Sequence, residues 1–218
     1  MVEPLTLIDA GKLQPVLAKH LPMYRTRLPR YQATMLNSLL GVWTGRHRRL
    51  LDIGGGTGVI AQAVSELFPV DCVESVDLVD RFCASLTIRV QSYDGRRLPY
   101  PSAHFDAAML NNVLHHVPEA QRIELLLDIR RVVAGPLYIK DHEIRGTTDS
   151  LRLTALDAIG NIPFGGMVRA SYLTRDDWEK LAEACGYRIV AKTGGQYRTG
   201  PLAALFPNRL EITMRLEP

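Results

Sequence analysis

The sequence predicts an α/β protein built on a doubly wound, mainly parallel sheet of about seven strands, with helices on both faces. Two patterns predict this class. Through the middle of the chain, short apolar runs typical of buried strands alternate with amphipathic helical stretches, as a parallel sheet requires. Further on, Leu210–Leu216 alternates apolar and polar residues, which is typical of an antiparallel strand with one face in water. The sheet should therefore include a C-terminal antiparallel strand.

The N-terminal part, residues 1–49, predicts a helical cap. Apolar residues recur at helical spacing in Gln14–Met23 and in Tyr31–Trp43. The alternation of strands and helices begins directly afterwards and continues to residue 143. Its predicted strands are Leu50–Ile53, Cys72–Leu78, Thr87–Ser92, Phe105–Leu110 and Leu137–Lys140, and its longest predicted helix is Glu119–Val132.

Residues 144–218 predict further helices and two strands. One helix lies around Leu151–Ile159. Thr174-Arg-Asp-Asp177 has the spacing of a capping box and predicts the start of another. Arg188–Lys192 predicts a strand ahead of the alternating segment. Because no linker or repeat interrupts the pattern, we expect residues 1–218 to form a single domain.

The composition is that of an ordinary globular protein and argues against several partners. It is 46% hydrophobic and 22% charged, with a formal net charge of +3, which gives no reason to expect a nucleic acid. No run approaches the roughly 18 apolar residues of a spanning helix, so we expect no membrane span. Three cysteines at unrelated spacings suit a reduced compartment, and the first residues do not resemble a signal peptide. We therefore expect a cytoplasmic protein.

A glycine-rich loop follows the first predicted strand, in Asp52-Ile-Gly54-Gly-Gly56-Thr-Gly58. Glycines at such a point allow a sharp turn and let a ligand touch the main chain, and the next helix aims unpaired N–H groups at it. A dinucleotide loop requires a third glycine where Val59 stands, and a phosphate loop requires a Gly-Lys ending that is absent. The loop therefore disfavours a nicotinamide oxidoreductase.

Leu50-Leu-Asp-Ile-Gly-Gly-Gly-Thr-Gly58 resembles the first motif of class I S-adenosylmethionine-dependent methyltransferases. Three further segments resemble this family in the same order: the acid Asp77 after the second strand, Tyr93 to Asp106, and Val113-Leu-His-His-Val117. The resemblance covers residues 50–143 and is closest to small single-domain enzymes of the ubiquinone and menaquinone biosynthesis type. It implies a Rossmann-like fold.

The resemblance also implies the roles of the cofactor-binding residues. Asp77 would accept both ribose hydroxyls of S-adenosylmethionine, as a carboxylate can. Asp94 would accept from the adenine amino group, with Leu78 and Gly95 beside the ring. The product, S-adenosylhomocysteine (SAH), would keep these contacts. The methionyl part would lie against the loop and its neighbours, namely Asp52, Gly54, Gly56, Gly58 and Asn111.

Methyl transfer from a sulfonium requires little from the protein besides orientation. We expect no metal, because consecutive residues such as Asp141-His142-Glu143 point to opposite faces of an extended chain. A general base is needed only when the acceptor must lose a proton, as a hydroxyl does. The candidates are His142, which follows the fifth predicted strand, and the pair His115 and His116.

The acceptor is expected to be a small molecule, and the residues expected near it are Tyr24, Asn161, Arg169 and Tyr172. The Asn-Pro-Pro-Tyr signature of nucleobase methyltransferases is absent, since Asn111-Asn112-Val113 stands in its place. The neutral and aromatic lining favours an aromatic or lipid-like metabolite, and the histidines near the expected site favour methylation of its hydroxyl. N- or C-methylation and a non-catalytic S-adenosylmethionine-binding protein stay open, and so does the oligomeric state, with a homodimer as one option.

Overall fold

The computed structural model describes residues 6–161 and 170–218, without the side chains of residues 158–161. Seven strands lie side by side in the order β3-β2-β1-β4-β5-β8-β7, and the short β6 pairs with β5 off this path. All neighbouring pairs are parallel except those that β8 makes with β5 and β7. The strands are β1 His47–Ile53, β2 Val70–Asp77, β3 Arg89–Ser92, β4 Ala107–Asn111, β5 Leu137–Ile144, β6 Leu173–Thr174, β7 Arg188–Thr193 and β8 Glu211–Glu217.

The helices cover both faces of this sheet. They are α1 Ala10–Ala18, α2 Arg30–Leu40, α3 Val59–Leu67, α4 Glu119–Val132, α5 Thr147–Asn161, α6 Arg175–Ala184 and α7 Gly200–Leu205. Since side chains alternate along a strand, Ala107 and Met109 of β4 pack towards α1, α2 and α3, whereas Ala108 and Leu110 pack towards α4 and α6. The predicted doubly wound fold with a C-terminal antiparallel strand is therefore confirmed. Among the described residues, no helix is long and apolar enough to cross a bilayer.

The N-terminal helices lie earlier than the periodicity predicts. The first helix begins at Ala10, where the Asp9 carboxylate accepts from the Gly11 amide at 2.7 Å as an N-cap. It contains Pro15 and ends at Ala18, and a separate 3-10 turn begins at Pro22. The first strand begins at His47 rather than Leu50.

The fifth strand is longer than the apolar run that predicts it. It continues four residues beyond Lys140 because the charged end of the strand has partners on other elements. His142 lies opposite Glu211 of β8, and Glu143 lies opposite Leu173 of β6. This extension carries Asp141 and His142 past the end of β4 and buries both side chains.

The capping box at the start of α6 is present as predicted. The Thr174 side chain accepts from the Asp177 amide, and the Asp177 carboxylate accepts from the Thr174 amide. This fixed start points the apolar face of α6 at the sheet, where Trp178 is almost completely buried. Its indole Nε1 donates to the His142 carbonyl at 3.1 Å, which ties α6 to the extended end of β5.

Candidate functional site

A cavity of about 430 Å³ lies at the carboxyl ends of β1, β2 and β4, where open α/β sheets bind ligands. We call it the edge cavity. The glycine loop, the end of β2 and the turn after β4 form three of its sides. Its lining residues are Ile53, Gly54, Gly55, Gly56, Thr57, Asp77, Leu78, Arg81, Tyr93, Gly95, Asn111, Asn112, Val113, His116, Val117, Pro118, Gln121 and Leu125.

The glycine loop folds tightly over the ends of β1 and β2. Gly54 has a φ of 76°, a conformation that favours glycine. Gly55 needs its missing side chain for a different reason, because a Cβ there would lie 1.9 Å from Ser75 Oγ. The loop backbone therefore forms the floor of the edge cavity with no side chain between it and a ligand.

Asp77 ends β2 and lines the edge cavity. Its Oδ2 accepts from the Gly56 amide at 2.7 Å and its Oδ1 from the Val79 amide at 3.1 Å. Each carboxylate oxygen can accept a second hydrogen bond. Asp77 can therefore hold the glycine loop in place and still receive the hydroxyls of a ligand.

Two of the three residues predicted to contact adenine line the edge cavity. Leu78 and Gly95 line the edge cavity and lie against each other, since a Cβ on Gly95 would be 2.8 Å from Leu78 Cδ2. Asp94 does not line the cavity. Its exposed carboxylate accepts from the Arg96 amide at 2.9 Å, and this backbone hydrogen bond lowers the pKa of Asp94. Its contact with adenine remains a prediction.

Asp52 lies beneath the glycine loop and not on the cavity wall. It is buried and accepts from Ser75 Oγ at 2.7 Å. Burial raises the pKa of Asp52 to about 7, against the hydrogen bond from Ser75. Its predicted interaction with a ligand ammonium therefore has to act through the loop.

Two asparagines meet the edge cavity where β4 ends. The Asn111 side chain lines the cavity, and its buried Nδ2 has no hydrogen-bond partner among the described residues. A buried donor without an acceptor is costly unless a ligand supplies one. This orphan donor fits the oxygen-bearing amino-acid head group that the resemblance assigns to Asn111.

The three candidate histidines form one cluster beside the edge cavity. The ring centroid of His115 is 4.1 Å from that of His116 and 5.1 Å from that of His142. Of the three, His116 lines the edge cavity. His115 and His142 are buried behind it, with His142 on the extension of β5.

His115 lies between two carboxylates. Its Nδ1 is 2.5 Å from Asp141 Oδ1, and its Nε2 is 3.4 Å from Asp157 Oδ2 on α5. Burial alone would lower the pKa of His115, but Asp141 and Asp157 outweigh it and raise the value to about 9. Burial likewise opposes the charge of Asp141, yet His115 and His142 hold the pKa of Asp141 well below its usual range.

The same cluster contains groups that could hold a metal. Possible ligand atoms of His115, Asp141 and His142 lie within 4.8 Å of one another, and so do those of His115, His116 and Asp157. Asp141 and His142 thus converge although they are adjacent in sequence, which the alternation argument did not foresee. Glu143 stands apart in an ion pair with Lys192. The absence of a metal remains a prediction.

The residues predicted to lie near the acceptor occupy different parts of the structure. Tyr172 stacks on His115 with ring centroids 5.4 Å apart, and its hydroxyl donates to Asp157 at 2.5 Å. Tyr24 is buried in the core that α1 and α2 form, and it does not line the edge cavity. Asn161 ends α5, but its side chain lies outside the described residues, as does all of Arg169.

Sequence reasoning missed Asp157 and Lys140. Asp157 looks like a solvent-facing acid in a helical pattern, and only the packing of α5 brings it to His115. Lys140 is fully buried and donates to Glu211 Oε2 at 2.6 Å. Its one sequence signal is a lysine that directly continues the apolar run of β5.

Comparison with known proteins gives a consistent result. A family model described as a methyltransferase domain matches residues 24–192, which is well over half of the chain. Isoflavone 4'-O-methyltransferase of Medicago truncatula is 27% identical over 171 residues, covering 75% of this chain and 44% of that protein. Norreticuline-7-O-methyltransferase of Papaver somniferum is 30% identical over 162 residues, covering 70% and 43%. The chain thus spans less than half the length of these two relatives.

The solved structures share the fold. Magnesium protoporphyrin IX methyltransferase from Synechocystis PCC 6803, solved with bound SAH, superposes with a TM-score of 0.58. The match covers 89% of this chain and 86% of that chain at 16% sequence identity. This chain and that enzyme therefore share a common fold.

Proposed function

The chain belongs to the class I S-adenosylmethionine-dependent methyltransferases, and from that premise we propose that it methylates a hydroxyl group of an aromatic or lipid-like small molecule. In this proposal residues 1–218 act as one methyltransferase domain in the cytoplasm. The observation that supports O-methylation is the pair His115–Asp141 directly behind the edge cavity, because a hydroxyl acceptor must lose a proton. The names of both plant relatives also describe O-methylation.

S-adenosylmethionine supplies an electrophilic methyl group on a sulfonium, which leaves as a neutral thioether. Asp77 would take the ribose, Leu78 and Gly95 the adenine, and Asn111 the amino-acid head group. The glycine loop offers its backbone to the methionyl part, with Asp52 beneath it. Asp94 is the remaining adenine partner. Proximity in the edge cavity would supply most of the rate enhancement.

His115 is the base in this proposal. Asp141 fixes its Nδ1, which leaves Nε2 as the atom that can accept a proton. His115 Nε2 has no hydrogen-bond partner among the described residues and lies 3.4 Å from Asp157 Oδ2. His116 and His142 remain the alternatives.

The proposal also covers the residues that would contact the acceptor. Tyr172, Asn161, Arg169 and Tyr24 are the proposed acceptor side, although the burial of Tyr24 favours a packing role. The ubiquinone-like subtype and a homodimer remain predictions. N- or C-methylation and a protein that binds S-adenosylmethionine without transferring its methyl group are the competing functions.

The test is transfer from methyl-labelled S-adenosylmethionine to a panel of phenols, long-chain alcohols and matched amines, in the presence of EDTA. We expect label on a hydroxyl compound, and calorimetric binding of SAH but not of NAD. His115→Gln should lower kcat by about 100-fold, as loss of a general base does, with SAH affinity unchanged. His20→Gln is the matched control, because His20 is half-buried, bonds Ser85 and is not one of the three clustered histidines.

Several outcomes would contradict the proposal. Label on amines or carbon alone would reject O-methylation, and NAD binding without SAH binding would reject the cofactor. Complete, metal-reversible loss of turnover in EDTA would reject a metal-free reaction. If His116→Gln or His142→Gln abolishes the acidic limb of the pH–rate profile while His115→Gln keeps it, the base is that residue.

A further inference from the structure

Lys140 is a fully buried ammonium whose three donors each have one acceptor. Its Nζ donates to Glu211 Oε2 at 2.6 Å, to Asn112 Oδ1 at 2.6 Å and to Tyr31 Oη at 2.9 Å. Burial alone would lower the pKa of Lys140, but Tyr31 and the Glu211 carboxylate raise it, so the group stays charged. We call Lys140 and these three partners the lysine hub. A fully buried ammonium is tolerated only with such complete pairing, so the three partners are fixed in place.

The lysine hub fixes which way the Asn112 amide faces. An ammonium has only donors, so the Asn112 atom that meets it must be the carbonyl Oδ1. The amino end, Nδ2, therefore points to the opposite side of the amide, and no described residue accepts its hydrogens. The Asn112 backbone is held as well, since its N–H donates to the Lys140 carbonyl at 2.8 Å and its φ is 57°.

Asn112 lines the edge cavity, so its oriented amide is available to a ligand. The cavity separates two kinds of polar group. Asp77 and Arg81 lie together at the β2 side, 4.0 Å apart, whereas Asn111 and Asn112 follow β4. Because β1 lies between β2 and β4, the two ends are about 9–10 Å apart.

Charge decides which part of a ligand meets the asparagines. At the β2 end a carboxylate would meet Asp77, whose charge Arg81 offsets only from 4.0 Å, whereas near Asn112 it would meet an amide that the ammonium of Lys140 polarises. Resting on the proposed function, we propose that Lys140 is a positioning residue that orients Asn112 to donate to the carboxylate of the S-adenosylmethionine head group. Asn111 Nδ2, the orphan buried donor beside it, completes a pair of amides for that group.

The test compares two ligands that differ only in that carboxylate, SAH and its decarboxylated analogue S-adenosyl-3-thiopropylamine, by calorimetry. The most informative variant is Asn112→Asp, because it keeps an oxygen for Lys140 but replaces the donor with a negative charge. We expect Asn112→Asp to weaken SAH by about 100-fold and Asn112→Ala by about 10-fold, with the analogue bound as by the wild type.

Lys140→Met should reproduce the selective loss of Asn112→Ala, and the double variant should be no weaker than Asn112→Ala, because the two residues act as a unit. Tyr138→Phe is the matched control. Tyr138 is equally buried on the same face of β5, two residues before Lys140, and its hydroxyl bonds the Thr44 amide and His47 away from the edge cavity. The Tyr138→Phe variant should have a lower melting temperature and unchanged affinities for SAH and its analogue.

Equal loss for both ligands in the Asn112 variants would overturn the proposal, because it would indicate a general structural defect. Unchanged SAH affinity in Asn112→Asp would overturn it too. If Lys140→Met does not fold, the Asn112 variants still decide whether Asn112 contacts the carboxylate, and Lys140→Arg, which keeps a cation, tests the positioning role. Failure of the wild type to bind SAH would instead reject the proposed function, which separates the two results.

Discussion

At the scale of residues, Asp157 adds to the effect of Asp141 in raising the pKa of His115. Its carboxylate lies 3.4 Å from His115 Nε2, the atom that would accept the acceptor's proton. Removing that charge should lower the pKa of His115, since a nearby anion stabilises the imidazolium. We expect Asp157→Asn to lower the value from about 9 by one unit or more, measured by NMR titration of the His115 ring.

Asp177→Asn at the start of α6 is the control for that titration, because it also removes a carboxylate but lies outside the histidine cluster. An unchanged His115 titration in Asp157→Asn would show that Asp141 alone raises the pKa. An acceptor that displaces Asp157 would have the same effect as the substitution. The base would then lose its proton more easily once an acceptor is bound.

The sequence predicted the residues whose roles follow from local geometry, such as Asp77 at a strand end and Gly54 in the loop. It did not predict Asp157 or the lysine hub. Both depend on how α5, α2 and β8 pack against β5, and a short sequence pattern does not predict this packing. Asn161 and Arg169 lie outside the described residues, so their predicted roles rest on the sequence alone.

At the scale of elements, the glycine loop depends on a glycine that the motif did not single out. The sequence motif predicted roles for Gly54, Gly56 and Gly58. At Gly55, however, a Cβ would lie 1.9 Å from Ser75 Oγ and would overlap it. By contrast, a Cβ at Gly56 would meet nothing within 4 Å. The cost at Gly56 is only its φ of 59°, roughly 1–2 kcal/mol.

We therefore expect Gly55→Ala to lower the free energy of unfolding by about 2–4 kcal/mol. This loss should exceed that of Gly56→Ala. Chemical denaturation with and without SAH measures this. Ser75→Ala should recover part of the loss in the double variant, because it removes the closest atom. Equal destabilisation by the two alanines would mean that strain in the loop, and not this contact, determines its stability.

Strand ends were the least predictable elements. The apolar run of β5 ends at Lys140, and the polar Asp141-His142-Glu143 that follows reads as a loop. It is a strand because β8 and β6 pair with it. The alternating segment that predicts β8 could be recognised, but its position beside β5 could not.

At the scale of the whole molecule, two buried groups make stability depend on pH in the same direction. The pKa of Asp52 rises to about 7 from an ordinary 3.8, and that of His115 to about 9 from 6.5. For a group whose pKa is raised on folding, the stability it contributes is complete below the unfolded value and is lost as pH rises through the folded value. The low pKa of Asp141 acts oppositely and only in acid.

We expect the melting temperature to be highest near pH 4 and to fall from there towards pH 9. Asp52→Asn should remove the part of the decrease in stability that occurs below pH 7. The variant should therefore equal the wild type in stability near pH 4 and exceed it at pH 8 by about 1–3 kcal/mol. Thermal unfolding monitored by circular dichroism across this range measures both. A wild type that is most stable at pH 8 to 9 would contradict the expectation.

The strand order has a consequence for how the chain is made. β8 follows β7 in the chain but lies between β7 and β5, and in the described part of the chain it is the strand on which β7 pairs. During synthesis, β7 thus leaves the ribosome with no place in the sheet, while β5 shows an unpaired edge of the kind that recruits other chains. Release of a nascent chain that ends before Glu211 would leave both edges open. Premature termination there should produce aggregates, and not a smaller folded enzyme.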